Sequence, residues 1–192
     1  MVAITIRAIR RGNWRKTLRL GVHPEQQRFV ADSAPIAAIV LAKAYVGAGG
    51  LCWRPYALAA DGRMVGMLAL AIAPGDAARC WLYHFFIDRT EQGRGYGTLA
   101  LRRVIAFVAQ RYPRCRTFCL TVHPENARAR QLYERLGFAP TGEERDGEPV
   151  YALAIREGWA KRGNKNPGTV VPGSMSLTDT GGGVAEEEKR GG

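Results

Sequence analysis

Three glycines at alternate positions in Gln92-Gly93-Arg94-Gly95-Tyr96-Gly97-Thr98 leave a stretch of main chain with little side chain over its N–H groups. Placed between a strand and a helix, such a stretch binds anions: its amides converge, and the positive end of the helix dipole adds to them. The segment lacks the Lys-Ser/Thr ending of a nucleotide-triphosphate loop. It also departs from the G-x-G-x-x-G dinucleotide fingerprint, because no acidic residue follows on a paired strand about 20 residues later. Taken alone, the glycines fit a sharp structural turn as well as an anion cradle.

A second segment, Asn126-Ala127-Arg128-Ala129-Arg130-Gln131-Leu132-Tyr133, places Asn126 and Tyr133 seven residues apart. That spacing is two turns along one helix face. One reading makes Asn126 an N-cap and Tyr133 a core ring. The other makes them two polar groups facing one ligand, and the glycine turn at the end of the neighbouring strand favours it. His84 is a candidate base, directly or through water, or else a packed strand histidine. Four cysteines, Cys52, Cys80, Cys115 and Cys119, form no Cys-x-x-Cys pair and no Cys/His set, so no metal site is expected. Buried reduced thiols are the reading for those in or beside strands.

Positioning these residues requires a strand before the glycine turn and helices after each segment. Val2 to Arg7 reads as a strand, and Asn13 as a cap for a short helix from Trp14 to Leu20. Pro24 suits a first helical turn, and Pro35 to Tyr45 reads as a helix ending at the glycines from Gly47. Arg54 to Ala60, Met64 to Ala73 and Arg79 to Asp88 read as three strands without intervening helices, an antiparallel meander. Asp61-Gly62 is a strong two-residue hairpin signal within it. Leu99, Leu101, Val104, Ile105 and Val108 then recur at helical spacing until Pro113. Arg116 to Val122 is a strand, Asn126 to Leu136 a helix closed by Gly137, and Phe138 to Glu144 with Val150 to Arg156 a final pair across Asp146-Gly147.

A chain of 192 residues can bury a sizeable core in one domain, here 1–157. From Gly158 the composition shifts to Gly, Pro, Asn, Ser and Thr, so 158–192 is expected to be a disordered C-terminal tail. The hydrophobic fraction of 46% and charged fraction of 23% are those of a soluble globular chain. The apolar stretch Ala34 to Val46 falls short of the roughly 20 residues a membrane helix needs, and Lys43 interrupts it. Charged residues and Trp14 stand where a signal peptide would be apolar, so a cytoplasmic location is expected. The net charge of +11 is mostly arginine spread over helix faces and turns, without a lysine block or an aromatic stacking set. It implies a general attraction for anions rather than nucleic-acid binding.

Phe85-Phe86-Ile87-Asp88, Gln92-Gly93-Arg94-Gly95-Tyr96-Gly97 and Pro124-Glu125-Asn126 with Leu132-Tyr133 and Gly137-Phe138 occur here in that order. Together they resemble the GNAT superfamily of N-acetyltransferases over residues 1 to about 156. Asn13-Trp14, Gln27-Arg28-Phe29-Val30-Ala31 and Thr141-Gly142-Glu143 make the chain look most like the bacterial spermine/spermidine (diamine) N-acetyltransferases. The resemblance implies an α/β (α+β) acyl-CoA N-acyltransferase fold: a mixed, mostly antiparallel sheet, flanked by helices, with strands splayed around the cofactor.

It also implies roles. Phe85, Phe86 and Ile87 would pair their backbone with the pantetheine arm, with a bulge aiming one N–H at the thioester carbonyl. Gln92, Gly93, Arg94, Gly95, Tyr96, Gly97 and Thr98 would bind the cofactor, the run from Gly93 cradling its pyrophosphate, and Asn126 would hydrogen-bond the pantetheine. Tyr133 would protonate the departing thiolate. The cosubstrate would be acetyl-CoA and the acceptor a primary amine, polyamine-like or diamine-like, attacking directly in a ternary complex. The partners implied are a small-molecule amine and, at most, a second copy in a homodimer, with neither nucleic acid nor membrane. Fixed backbone donors suit a developing oxyanion. A phenol with a pKa of about 10 can give its proton to a thiolate whose conjugate pKa is about 8.5 at contact distance. Polyamine enzymes usually set carboxylates about the cationic acceptor, yet one such position is Tyr83 here. Two alternatives remain: acetylation of protein N-termini or lysines on the same fold, and a non-catalytic acetyl-CoA-binding module.

Overall fold

The computed structural model describes residues 3–31 and 35–155. The start of the first strand at Val2 and the segment 158–192 lie outside the described residues. Seven strands form one sheet: β1 (Ile4–Ala8), β2 (Cys52–Ala60), β3 (Arg63–Ile72), β4 (Arg79–Ile87), β5 (Thr117–Thr121), β6 (Ala139–Arg145) and β7 (Glu148–Ala154). Their spatial order is β1-β2-β3-β4-β5-β7-β6. Every neighbouring pair is antiparallel except β4 with β5.

Local chemistry accounts for this topology. Asp61 and Gly62, at φ 47° and 80°, and Asp146 and Gly147, at φ 53° and 78°, make the two tight hairpins. A two-residue loop whose twist matches its strands needs positive φ at both positions, which Asp-Gly supplies. Between β4 and β5 the chain instead crosses the sheet through helix α3 (Tyr96–Arg111) (counting α1, Trp14–Thr17, and α2, Ile36–Val46, before it), and a crossover returns the next strand parallel. Helix α4 (Ala127–Arg135) joins β5 to β6.

Strand periodicity divides the core in two. On β3, Leu68 and Leu70 face the cluster containing α3, whereas Met67, Ala69 and Ala71 face the one containing α2. With both faces covered, β3 is apolar almost throughout. Ala100, Leu101, Val104, Ile105 and Val108 bury one face of α3. Leu101 and Ile105 are fully buried. Truncating either to alanine would cost about 2–5 kcal/mol. Helix α2 stops at Gly47 (φ 63°), whose N–H bonds Lys43 O.

One local expectation fails. Asn13 makes no cap bond to α1, which is only four residues long. Its Oδ1 accepts from Arg10 N at 2.7 Å and its Nδ2 donates to Ala8 O at 3.0 Å. The side chain therefore closes the turn that precedes the helix, a competing local bond that Asn forms readily.

Candidate active site

The site grows from an irregularity in β4. Met67 pairs with Phe86 and Ala69 with Tyr83, so His84 and Phe85 together oppose the single residue Leu68. His84 takes φ 49°, a left-handed value that a β-bulge can impose. Its ring is held on both sides. Nδ1 donates to Val30 O at 2.7 Å, since a carbonyl can only accept, and Nε2 accepts from Lys43 Nζ at 3.2 Å. Beyond the bulge, β4 continues to Ile87, but its pairing with β5 ends at Leu82 and Leu120. The two parallel strands thus separate, and the backbone from Phe85 to Ile87 is released from β5.

Asp88 fixes the end of β4. Its Oδ2 accepts from Gly21 N at 2.9 Å, and its Oδ1 accepts from Thr90 N at 3.0 Å and Thr90 Oγ1 at 2.6 Å. Burial pushes its carboxyl pKa up, but the bonds from Thr90 and Gly21, with the nearby Arg89 charge, outweigh that and hold it below the usual value. Next comes the glycine turn. Gly93 and Gly95 adopt φ 79° and 78°, and a Cβ at either would meet nothing within 4 Å. Glycine is required there by backbone conformation, and the space over the main chain is open. Gly97 serves differently: a Cβ there would touch Leu132 at 3.8 Å, because the start of α3 packs close to α4.

Helix α4 supplies the opposite wall. Asn126 Oδ1 accepts from Ala129 N at 3.1 Å and caps the helix. That leaves the Nδ2 hydrogens for a ligand. Tyr133, two turns on, is 7% exposed, and its ring packs edge-on to Phe138 at 5.8 Å. Its hydroxyl has no hydrogen-bond partner among the described residues. Burial, reinforced by the charge of Glu148, raises the phenol pKa well above its ordinary value.

A groove of about 410 Å³ joins these parts. Of the residues singled out from sequence, Phe85, Phe86, Ile87, Gln92, Gly93, Gly95, Tyr96, Gly97, Thr98, Asn126 and Tyr133 line it, whereas Arg94 does not. Arg94 Nη1 instead lies 3.3 Å from Glu91 Oε2. The Gln92 side chain is also engaged: its Nε2 donates to Ile87 O at 3.0 Å and to Gln26 Oε1 at 2.9 Å, and its Oε1 accepts from Gln26 Nε2 at 3.1 Å. Both amide hydrogens are used, so the side chain braces the groove and only its main chain is left for a ligand. Sequence reasoning missed Val22, Gln26 and Phe29, which reach the groove from the segment before α2, and Glu91 beside the glycine turn. Two of them left a signal: Phe29 lies in a segment that carries the family resemblance, and Glu91 is adjacent to the turn.

Outside the groove, β4 carries an aromatic stack. Tyr83 packs on Trp53 at 4.9 Å and on Trp81 at 6.1 Å. Lys43 lies over Trp53 at 5.5 Å and Arg145 over Trp81 at 4.9 Å, so a cation of the chain itself caps each end. Cys80, Cys115 and Cys119 are buried, and burial foremost pushes Cys119 up to about 12, which keeps its sulfur protonated. Among the described residues no group of three or more His, Cys, Asp or Glu is placed to hold a metal ion, and no helix is long and apolar enough to cross a membrane.

Comparison with known proteins agrees with this architecture. The family described as acetyltransferase (GNAT) family matches residues 43–138. Spermine/spermidine N(1)-acetyltransferase of Bacillus subtilis (strain 168) is 34% identical over 104 residues, covering 51% of this chain and 68% of that protein. A probable spermine N(1)-acetyltransferase of Bacillus subtilis subsp. natto (strain BEST195) matches over the same share. Among solved structures, spermidine N-acetyltransferase from Vibrio cholerae, in complex with CoA and spermine, superposes with a TM-score of 0.60 at 18% identity, covering 79% of this chain and 95% of that one. The AAC(6')-Ib complex with acetyl-CoA gives 0.66 at 16% identity, covering 86% and 99%. At such identities the two structural likenesses show the fold alone.

Proposed function

This chain belongs to the acetyltransferase (GNAT) family and is an acetyl-CoA-dependent N-acetyltransferase, and from that premise we propose that it acetylates a primary amine of a polyamine or diamine. The observation that carries the proposal is a single groove lined by the released strand Phe85–Ile87, the glycine turn and Tyr133, whose hydroxyl has no partner among the described residues. The relatives from Bacillus subtilis are named for action on spermine and spermidine, and the Vibrio cholerae structure holds CoA and spermine. The groove suits a phosphorylated ligand: at Gly93 and Gly95 the space a Cβ would occupy is empty, and main-chain amides lie beneath it.

When bound, acetyl-CoA supplies a thioester whose sulfur departs as a thiolate. The main chain of Phe85 and Phe86, released from β5, offers a strand edge for its pantetheine arm, while Ile87 O is already bonded by Gln92 Nε2. Donors from Gly93 to Thr98, at the head of α3, hold the pyrophosphate. Asn126 donates through Nδ2, because its Oδ1 is committed to the helix cap. Tyr133 gives its proton to sulfur. The bulge at His84 fixes a main-chain N–H before reaction, which suits stabilisation of a developing oxyanion.

A second reading, transfer to a protein N-terminus, is favoured by one observation. Lys43 and Arg145 flank the aromatic stack of β4, where a polycation would be served by carboxylates. A screen following coenzyme A release with spermine, spermidine, putrescine and amine-terminated peptides separates the two. Turnover with the polyamines and none with peptides is expected. Turnover with peptides alone selects the second reading, and binding of coenzyme A without turnover of any amine overturns both.

A further inference from the structure

Glu91 presents a contradiction. It lines the groove beside the glycine turn, yet it is a carboxylate, 8% exposed, in a place suited to phosphates. Its Oε1 accepts from Arg63 Nη1 at 3.2 Å. Its Oε2 is buried and accepts no hydrogen bond, although Arg94 Nη1 stands 3.3 Å away. The pair is close enough for Coulomb attraction but not aligned as a bond. Both arginines keep their side chains more than half exposed, at 60% and 53%. Arg94 is thus a mobile-length cation, held by a poorly aligned contact, one residue from the two glycines of the cradle.

We propose that Glu91 is a brake on cofactor affinity: it holds Arg94 off the phosphates and so speeds release of coenzyme A after transfer. The proposal rests on the groove being the coenzyme A site. A phosphate offers Arg94 the aligned, charge-assisted bonds that Glu91 Oε2 does not. Reaching it, however, would draw Arg94 away from a buried carboxylate oxygen that accepts no hydrogen bond, leaving Arg63 on Oε1 to balance the charge, and weakening the pairing of a buried charge is costly. Glu91 also repels the phosphates directly across a groove wall that water screens poorly. Both effects weaken binding, and both disappear when the carboxylate is neutral. Arg63 retains the amide oxygen of a glutamine as its acceptor, so the loop keeps its anchor.

The test is titration calorimetry with coenzyme A on the wild type, Glu91→Gln, Arg94→Gln and the double variant, with thermal midpoints measured alongside. Glu91→Gln is expected to tighten binding about threefold to tenfold and slow dissociation in proportion. Arg94→Gln should weaken binding less than twofold in the wild type but about threefold to tenfold in the Glu91→Gln background, because only there is Arg94 released. Unchanged or weaker binding by Glu91→Gln at an unchanged midpoint overturns the proposal. So does an equal effect of Arg94→Gln in both backgrounds. Arg94 is exposed, so its variant tests the idea even if Glu91→Gln folds poorly: a loss above about tenfold in Arg94→Gln alone means the arginine already serves the phosphates. Absence of any wild-type binding would instead refute the functional reading.

Discussion

Replacing Tyr133 by phenylalanine removes one oxygen and leaves the ring, so it tests the proposed general acid directly. The hydroxyl has no partner among the described residues, while the ring keeps its packing on Phe138. Deleting it should therefore cost about 0.5 kcal/mol or less of stability, since no intramolecular bond is lost and no buried group is orphaned. For a chain of this length that is a shift in Tm of under about 2 °C. The rate should respond differently. Loss of a positioned general acid lowers kcat about 10²–10⁴-fold, or about 3–5.5 kcal/mol of barrier, with KM for acetyl-CoA nearly unchanged. The raised phenol pKa adds a second signature, because the proton is retained past the ordinary value of 10.0. The wild-type rate should thus show no fall from this group between about pH 8 and 10. The sign for stability follows: a raised folded pKa means support that is complete below 10 and lost as pH rises through the folded value. Wild-type Tm should accordingly decline more steeply than that of Tyr133→Phe at high pH. Coenzyme A release measured across pH, with calorimetric Tm, checks both. A variant that keeps more than a third of wild-type kcat would refute the assignment of Tyr133 as the acid.

Asp88→Asn should lower Tm by about 4–12 °C, because an amide nitrogen would face Gly21 N–H and a charged hydrogen bond of about 2–3 kcal/mol is lost. Since the Asp88 pKa is held low in the fold, the wild type should lose this advantage over the variant as pH falls through the folded value, which Tm against pH measures. Gly95→Ala should cost about 1–2 kcal/mol from its φ of 78° and raise KM for acetyl-CoA, because a methyl would enter the cradle; an unaltered KM would count against the cradle. Gly66→Ala should destabilise by about 1–3 kcal/mol in chemical denaturation, since its Cβ would overlap Phe86 O and force β3 from β4 beside the bulge.

What could be read from sequence was what short-range geometry determines. Asp61-Gly62 and Asp146-Gly147 make their hairpins through their own dihedral angles, and Gly93 and Gly95 take the positive φ that their spacing suggested. Asn126 and Tyr133 share a wall because a helix has a fixed period. The bulge was implied by the family resemblance alone, since no glycine marks it; the His84 ring there is held by Val30 and Lys43, 54 and 41 residues away in the chain. Asn13 misled because its side chain had two local uses and the turn won over the cap. Gln92 shows most clearly where such reading stops. Its place in the glycine motif made it a ligand-binding candidate, and it does line the groove. Its amide, however, is bonded to Gln26, 66 residues distant, and to Ile87. A motif places a residue near a ligand, but whether its polar atoms are available depends on partners brought by the rest of the fold. The same reasoning makes Glu91, which no motif marks, a more informative target for mutation than Gln92, because among the described residues it has a buried carboxylate oxygen left unbonded in the groove wall.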